Sequence, residues 1–317
     1  MAVCLLGAIS VLTLVYTQDL VRKQDSFQVP SKVQNRNISG NDVIRKTRVL
    51  CLILTSASGQ TKMAAVKATW AKRCHKYLFI YGQTEVSQKD ESFLYVPVQE
   101  GRSHLTAKVR HALEYAYQTY KDSFDWILKS DDDTYVIIEN LLYLLSHADS
   151  SKPGYLGFHM KTKKTSRTGY MSGGGGYVIS SRGLHQLIHV GFQDADCRQD
   201  GGDEDVEIGL CLTKSNVSVL NSLDSDGRQT FHPESLLRHL YPPYPKWLQS
   251  YSWNQDSANF GSECCSKYSV SFHHISVDML YMIDHLLYKT KVYDFQKVND
   301  NDKRSVFNPH VVNPAYK

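Results

Sequence analysis

The chain has 317 residues, 42% of them hydrophobic and 21% charged, a balance that fits a globular protein and excludes wholesale disorder. Its length allows one large domain or two small ones. With a formal net charge of only +4 and no long Lys/Arg stripe, nucleic acid is excluded as the expected partner.

From the N-terminus, Ala2 to Tyr16 (AVCLLGAISVLTLVY) is almost wholly apolar. The run falls short of the ~17–25 residues of a helical membrane span and also suits a signal-peptide core. No small-x-small cleavage site closes it, which favours an uncleaved signal-anchor. Arg22 and Lys23 follow the run and no basic residue precedes it, the reverse of the usual cytoplasmic flank. Either reading sends the remainder to the secretory lumen. Residues 17–46 are polar and aperiodic, as a stem would be.

Regular patterns begin at Arg48–Leu54 (RVLCLIL), a buried strand. Lys62–Arg73 reads as a helix, and Tyr77–Tyr81 and Phe93–Val98 read as strands. Leu105–Tyr120 is a helix with Leu105, Val109, Ala112, Leu113 and Ala116 on one face. Asp125–Ser130 is a short apolar strand that runs directly into Asp131, Asp132 and Asp133. Glu139–Ser146 reads as a helix and Tyr155–Gly157 and Tyr177–Ile179 as short strands. Ser181–His189 and Asp205–Leu212 read as helices. Strands alternating with helices imply a mostly parallel α/β sheet covered on both faces. Pro242–Gly261, rich in Tyr, Trp, Pro and Asn, reads as a long ordered loop, and the chain beyond Lys289 as a polar tail.

Two triplets, Asn37-Ile38-Ser39 and Asn216-Val217-Ser218, match the N-glycosylation acceptor pattern. Of seven cysteines, Cys4 lies in the apolar run, leaving an even set of Cys51, Cys74, Cys197, Cys211, Cys264 and Cys265, which suits an oxidising compartment. Their connectivity is not deducible. Proximity favours Cys51–Cys74 and Cys197–Cys211, and the adjacent pair less. Without any CxxC pair, a structural zinc site is not expected.

The aspartate triplet carries the clearest chemistry. It follows a buried strand and so sits at the carboxyl edge of the sheet, where open α/β folds bind ligands. Adjacent carboxylates repel one another unless a cation compensates them, and Mg²⁺ or Mn²⁺ takes carboxylate and diphosphate oxygens alike. A solvated acidic turn is the competing reading, and the strand before the triplet with Thr134-Tyr135 after it tilts the balance toward metal. His273, at the end of the alternating segment Ser269–Phe272, reads from spacing alone as a surface histidine, although imidazole can complete an aspartate-based Mn²⁺ site. Gly173–Gly176 is either a flexible turn or a place of close backbone approach to a ligand. Asp203-Glu204-Asp205 opens a helix, where acids are favoured electrostatically, and a general base is the functional alternative. Lys161–Arg167 reads as a solvated basic loop, with contact to an acidic group as the second choice.

Taken in order, Lys67-Ala68-Thr69-Trp70 with Arg73-Cys74, the DDDTY run at Asp131–Tyr135, GYMSGGGGY at Gly169–Tyr177, Glu204-Asp205 with Gly209, and Cys264-Cys265 with Val270–His273 resemble the core 1 β1,3-galactosyltransferase group of the fringe-like inverting β1,3-glycosyltransferases. The likeness runs from about Arg48 to about Tyr288. It implies a GT-A fold, a single Rossmann-like catalytic domain that moves galactose from UDP-galactose to O3 of GalNAc α-linked to Ser or Thr on glycoproteins. It further implies Mn²⁺ held by Asp131, Asp133 and His273, with Asp205 as catalytic base. Trp70, Asp131 and Asp132 would lie by the donor, and Tyr170, Gly174, Gly175 and Trp253 by the acceptor. A Golgi type II membrane enzyme is expected, divided into residues 1–16 (signal-anchor), 17–46 (stem), 47–288 (catalytic domain) and 289–317 (tail); a homodimer stays open. Two departures, Lys267 in place of an acidic residue and a different Pro242–Gly261 loop, bear on the acceptor more than on the chemistry. The rival readings are a fringe-like transferase with another donor or acceptor, and a non-catalytic chaperone-like paralogue. Such a paralogue lacks the aspartate triplet.

Overall fold

Every residue of strand β1 (Val49–Leu54) is buried, because both faces of the sheet around it are covered. Alternate side chains feed two separate cores: Val49, Cys51 and Ile53 pack with Val66, Trp70, Trp126 and Leu141, while Leu50, Leu52 and Leu54 pack with Leu78, Val109, Leu113 and Ile179. A strand buried on both sides reads as a continuous apolar run, which is what RVLCLIL is. The computed structural model describes residues 46–82, 90–254 and 260–292. The apolar segment 2–16, the stem up to residue 45, Asn37 and the tail beyond 292 lie outside the described residues. Among those described, no helix is long and apolar enough to cross a membrane.

After β1 come helix α1 (Gln60–Ala68), strands β2 (Lys76–Tyr81) and β3 (Phe93–Tyr95), and helix α2 (Leu105–Tyr120). Strands β4 (Trp126–Asp131) and β5 (Tyr135–Val136) precede helix α3 (Ile138–Leu145). Four short strands follow: β6 (Gly154–Gly157), β7 (His159–Met160), β8 (Tyr170–Met171) and β9 (Tyr177–Ser180). Helices α4 (Ser181–His189) and α5 (Glu204–Lys214) lead to strands β10 (Ser218–Val219) and β11 (Phe231–His232). Helices α6 (Leu236–Leu240) and α7 (Lys246–Tyr251), strand β12 (Ser271–Phe272) and helix α8 (Val277–Tyr288) complete the set. The main sheet has the order β10-β6-β9-β4-β1-β2-β3, parallel except for β9, which runs against both neighbours. This is the mixed α/β, mostly parallel sheet flanked by helices that the alternation implies. A second sheet has the order β11-β12-β5, and β7 pairs with β8.

The departures from expectation have local causes. α1 stops at Ala68 and a separate 3₁₀ turn covers Ala71–Arg73, where one helix was expected. The Thr69 hydroxyl donates to the Ala65 carbonyl at 2.7 Å and competes with the backbone ladder. β3 ends at Tyr95 instead of Val98, since Pro97 has no N–H to extend the ladder. α7 interrupts the segment expected to be loop, and residues 255–259 of that segment lie outside the described residues. α8 was not foreseen: Leu280 and Ile283 face the core, but Tyr281, Met282, Leu286 and Leu287 are exposed, so the helix shows no clean apolar stripe. Cys51–Cys74, Cys197–Cys211 and the neighbours Cys264–Cys265 are joined as disulfides. Asn216 is exposed at the turn after α5.

Candidate active site

β1 and β4 run in parallel with Leu54 opposite Asp131, so both strands end on one edge of the sheet. Above that edge opens a cleft of ≈ 820 Å³, with all three aspartates on its wall. The antiparallel pairing of β5 with β12 sets Tyr135 opposite Phe272 and thereby carries His273 to the triplet from a distant part of the chain. His273 Nε2 lies 3.1 Å from Asp133 Oδ1 and 3.9 Å from Asp131 Oδ2. Its Nδ1 donates to the Pro233 carbonyl at 3.2 Å, which fixes the ring's direction. Gly174 makes room for that ring, since a Cβ there would fall 2.1 Å from His273 Cε1. His274, not foreseen as part of the site, adds a second imidazole: one donor atom each from Asp133, His273 and His274 lie within 4.8 Å of one another. Carboxylate oxygens with imidazole nitrogens form a donor set suited to a divalent cation.

The three carboxyl groups differ in environment. Asp132 turns away from His273 and accepts the Thr55 hydroxyl at 2.7 Å; burial pushes its pKa up to about 6 against that hydrogen bond. Burial acts on Asp133 in the same direction, but the hydrogen bond from His273 and the Lys62 ammonium 3.0 Å away outweigh it and hold the carboxyl well below the usual range. Asp131 faces inward to Lys129, a cation in the middle of a buried strand with only 3% of its side chain exposed. Lys129 Nζ donates to Asp131 Oδ1 at 2.9 Å and to the Gly173 carbonyl at 3.2 Å, and lies 3.1 Å from Glu204 Oε2. Burial works against its charge, yet Asp131 and Glu204 together outweigh it and hold the proton on.

Asp205 stands on the first turn of α5 at the opposite end of this chain of contacts. Its Oδ2 accepts the Gly173 N–H at 2.9 Å and its Oδ1 the Val206 N–H at 2.9 Å. Burial raises its pKa against the Gly173 hydrogen bond. Glu204 points into the protein, where it accepts the Tyr177 hydroxyl at 2.6 Å and pairs with Lys129. The sequence reading missed Lys129, although a lysine inside DWILKS was a visible anomaly. Removing one partner of a buried ion pair typically costs about 3–5 kcal/mol. Lys129→Met should therefore lower the urea midpoint steeply, and an unchanged midpoint would show that Asp131 and Glu204 do not need it.

Other expected site residues fall elsewhere. Trp70 is 0% exposed and does not line the cleft; its Nε1 donates to the Thr134 carbonyl at 2.9 Å and braces the aspartate turn from below. Tyr170 is 5% exposed beneath α5, where Gly209 gives it space, and Gly175 packs against the His232 and Pro233 backbone. Trp253 stacks on His159 with ring centroids 4.5 Å apart, outside the cleft lining. The tryptophan on the cleft wall is Trp247 of α7, 40% exposed. In the basic segment, Lys164 reaches Glu207 at 2.7 Å, so contact with an acidic group occurs where a wholly solvated loop was the first expectation.

A family model described as Fringe-like matches residues 50–279. Glycoprotein-N-acetylgalactosamine 3-beta-galactosyltransferase 1 of Xenopus laevis is 33% identical over 263 residues, covering 82% of this chain and 71% of that one. A beta-1,3-glucosyltransferase of Mus musculus is 29% identical over 185 residues, 57% of this chain and 36% of the other. Chondroitin sulfate synthase 3 of Mus musculus is 29% identical over 113 residues, 32% of this chain and 12% of the other.

Proposed function

The chain belongs to the Fringe-like family of glycosyltransferases, and on that premise we propose that it transfers galactose from UDP-galactose to O3 of GalNAc α-linked to Ser or Thr of glycoproteins. One observation carries the chemical part. A cation-binding donor set and a carboxylate with a raised pKa share one cleft, joined through Lys129 and Gly173. Support for the donor and acceptor comes from the likeness to the Xenopus laevis enzyme.

Asp131, Asp133 and His273, with His274 in reach, would hold Mn²⁺. Bound there, the ion would neutralise charge on the departing diphosphate. Asp205 accepts the proton of the acceptor hydroxyl as that oxygen attacks the anomeric carbon from the side opposite the leaving group. A single displacement inverts the α-linked donor to a β-linked product, with no covalent intermediate on the protein. Lys129 holds the inner oxygen of Asp131 and the carbonyl of Gly173, the residue whose N–H meets Asp205. Residues 1–16 would anchor the protein in the Golgi membrane as a type II protein, with 17–46 as stem, 47–288 as the catalytic domain in the lumen and 289–317 as tail.

Assaying the purified protein with Mn²⁺ against a panel of UDP-sugars and acceptors tests the reading. Selective transfer from UDP-galactose to GalNAc-α-Ser/Thr is expected. Preference for another pair would make it a transferase of different specificity, and no transfer from any donor would favour a folding-partner role. Gly174→Ala gives a narrower check. The added methyl displaces His273, so Mn²⁺-dependent UDP affinity in calorimetry should fall at least about 10-fold, the lower range seen when support of a metal ligand is lost. An unchanged affinity would remove His273 from the site.

A further inference from the structure

We propose that His232, His239 and Cys265 form a second metal site, apart from the cleft, that takes Zn²⁺ or a similar borderline ion once the Cys264–Cys265 disulfide opens. One donor atom from each of the three lies within 4.8 Å of the others. Both histidines also carry a nitrogen that has no hydrogen-bond partner among the described residues: His232 Nδ1, on a residue 0% exposed, and His239 Nε2, on a residue 3% exposed. Buried polar atoms without partners are rare and need a cause.

The network around His232 settles its tautomer. The Ser269 hydroxyl donates to the Ser266 carbonyl at 2.7 Å, so its oxygen is free to accept from His232 Nε2–H at 3.0 Å. His232 Nδ1 therefore presents a lone pair, and the Ser269 contact is the outer hydrogen bond that ligating histidines usually make. Phe272 stacks on the ring at 4.5 Å and holds its plane. Burial keeps the His239 imidazole neutral, lowering it to about 4. Neutral imidazole is the ligating form.

Opening the disulfide takes two electrons and two protons from a dithiol, which becomes a disulfide in turn. The ion then replaces the Cys265 thiol proton as the metal–sulfur bond forms, and that proton leaves to solvent. Because the disulfide joins residues one apart in sequence, it closes almost no loop, and chain entropy gives it little resistance to opening. Zinc bonds of about 2.0–2.1 Å to nitrogen and 2.3 Å to sulfur put ligand atoms roughly 3.3–3.7 Å apart. The three atoms must therefore close by at most about 1–1.5 Å, to which the freed Cys265 side chain contributes. None of this follows CxxC spacing, which is why the sequence pointed away from zinc. The ion would tie β11, α6 and the cysteine loop together one residue from Pro233, whose carbonyl orients His273.

Cys264→Ser frees Cys265 without any reductant and leaves the other disulfides closed. The full chain carrying it should bind one Co²⁺ with a thiolate-to-cobalt absorption band. Adding Asp133→Asn should leave the band unchanged, and adding His239→Gln should weaken binding at least about 10-fold. A folded Cys264→Ser protein without the band, or a band indifferent to His239→Gln, overturns the proposal. Should Cys264→Ser not fold, the wild-type chain opened with a phosphine reductant decides. A band absent there, or equal in Cys265→Ser, is the overturning result.

Discussion

Asp205→Asn is expected to fold, to bind UDP and Mn²⁺ as the parent does, and to lose transfer by about 10²–10⁴-fold, the usual contribution of a general base. The substitution separates two roles of one carboxylate. Asn retains one acceptor oxygen, so one of the two hydrogen bonds that seat residue 205, from the Gly173 and Val206 N–H groups, survives. It cannot accept a proton from the acceptor. A role confined to the helix terminus would instead cost roughly 0.5–2 kcal/mol of stability and leave turnover intact. The pH profile offers a second reading. With its pKa raised by burial, Asp205 protonates on acidification before an ordinary aspartate would. The acid limb of kcat/KM should accordingly lie above the ~3.9 of a free aspartate. Neither neighbour is an inert control, because Glu204 neutralises Lys129 and Asp203 lines the same cleft and helps raise the Asp205 pKa. Near-normal turnover in Asp205→Asn with a proven acceptor would remove it as the base.

Asp133→Asn should weaken Mn²⁺ and UDP binding together, by at least about 10–100-fold, the range already reached when only the outer partners of metal ligands are lost. Loss of one without the other would mean that nucleotide and ion do not share the site. The metal-free protein gives an independent check through acid stability. Asp133 has a folded pKa below its unfolded value, so it contributes stability above about pH 3.9 that disappears as the pH falls through the folded value. The variant should melt below the parent at neutral pH, and the two curves should converge in strong acid. A gap that persists in acid would trace the loss to packing instead of to the His273 and Lys62 contacts.

Much of this arrangement was legible because single segments carried it. The run from Asp125 through Asp133 announces a buried strand ending in charge, and the Leu105–Tyr120 periodicity matches α2 residue for residue. His273 was different. Two-residue strands bring it to Asp133, and a pairing that short leaves no alternation to read. Its place came from resemblance alone. Trp70 and Trp253 both lie off the cleft lining, the buried Trp70 bracing the aspartate turn and the half-buried Trp253 stacking on His159. Trp247 reaches the cleft from α7, in a segment whose Pro and Tyr content concealed a helix. Lys129 lay in plain view, but its meaning depends on Glu204, which no local pattern ties to it.

The Gly173 peptide has a consequence for how such a protein diversifies. Its carbonyl holds the cation that steadies Asp131, and its N–H holds Asp205, so the two ends of the cleft are coupled through main chain. At residue 173 the link needs no side chain, so only its partners Lys129, Asp131 and Asp205 must be kept. Arg102, Met160 and Trp247, which shape the walls, come from segments other than those carrying the charges. Exchanging these wall residues can change which sugar fits while the charged frame passes unaltered from one descendant to the next.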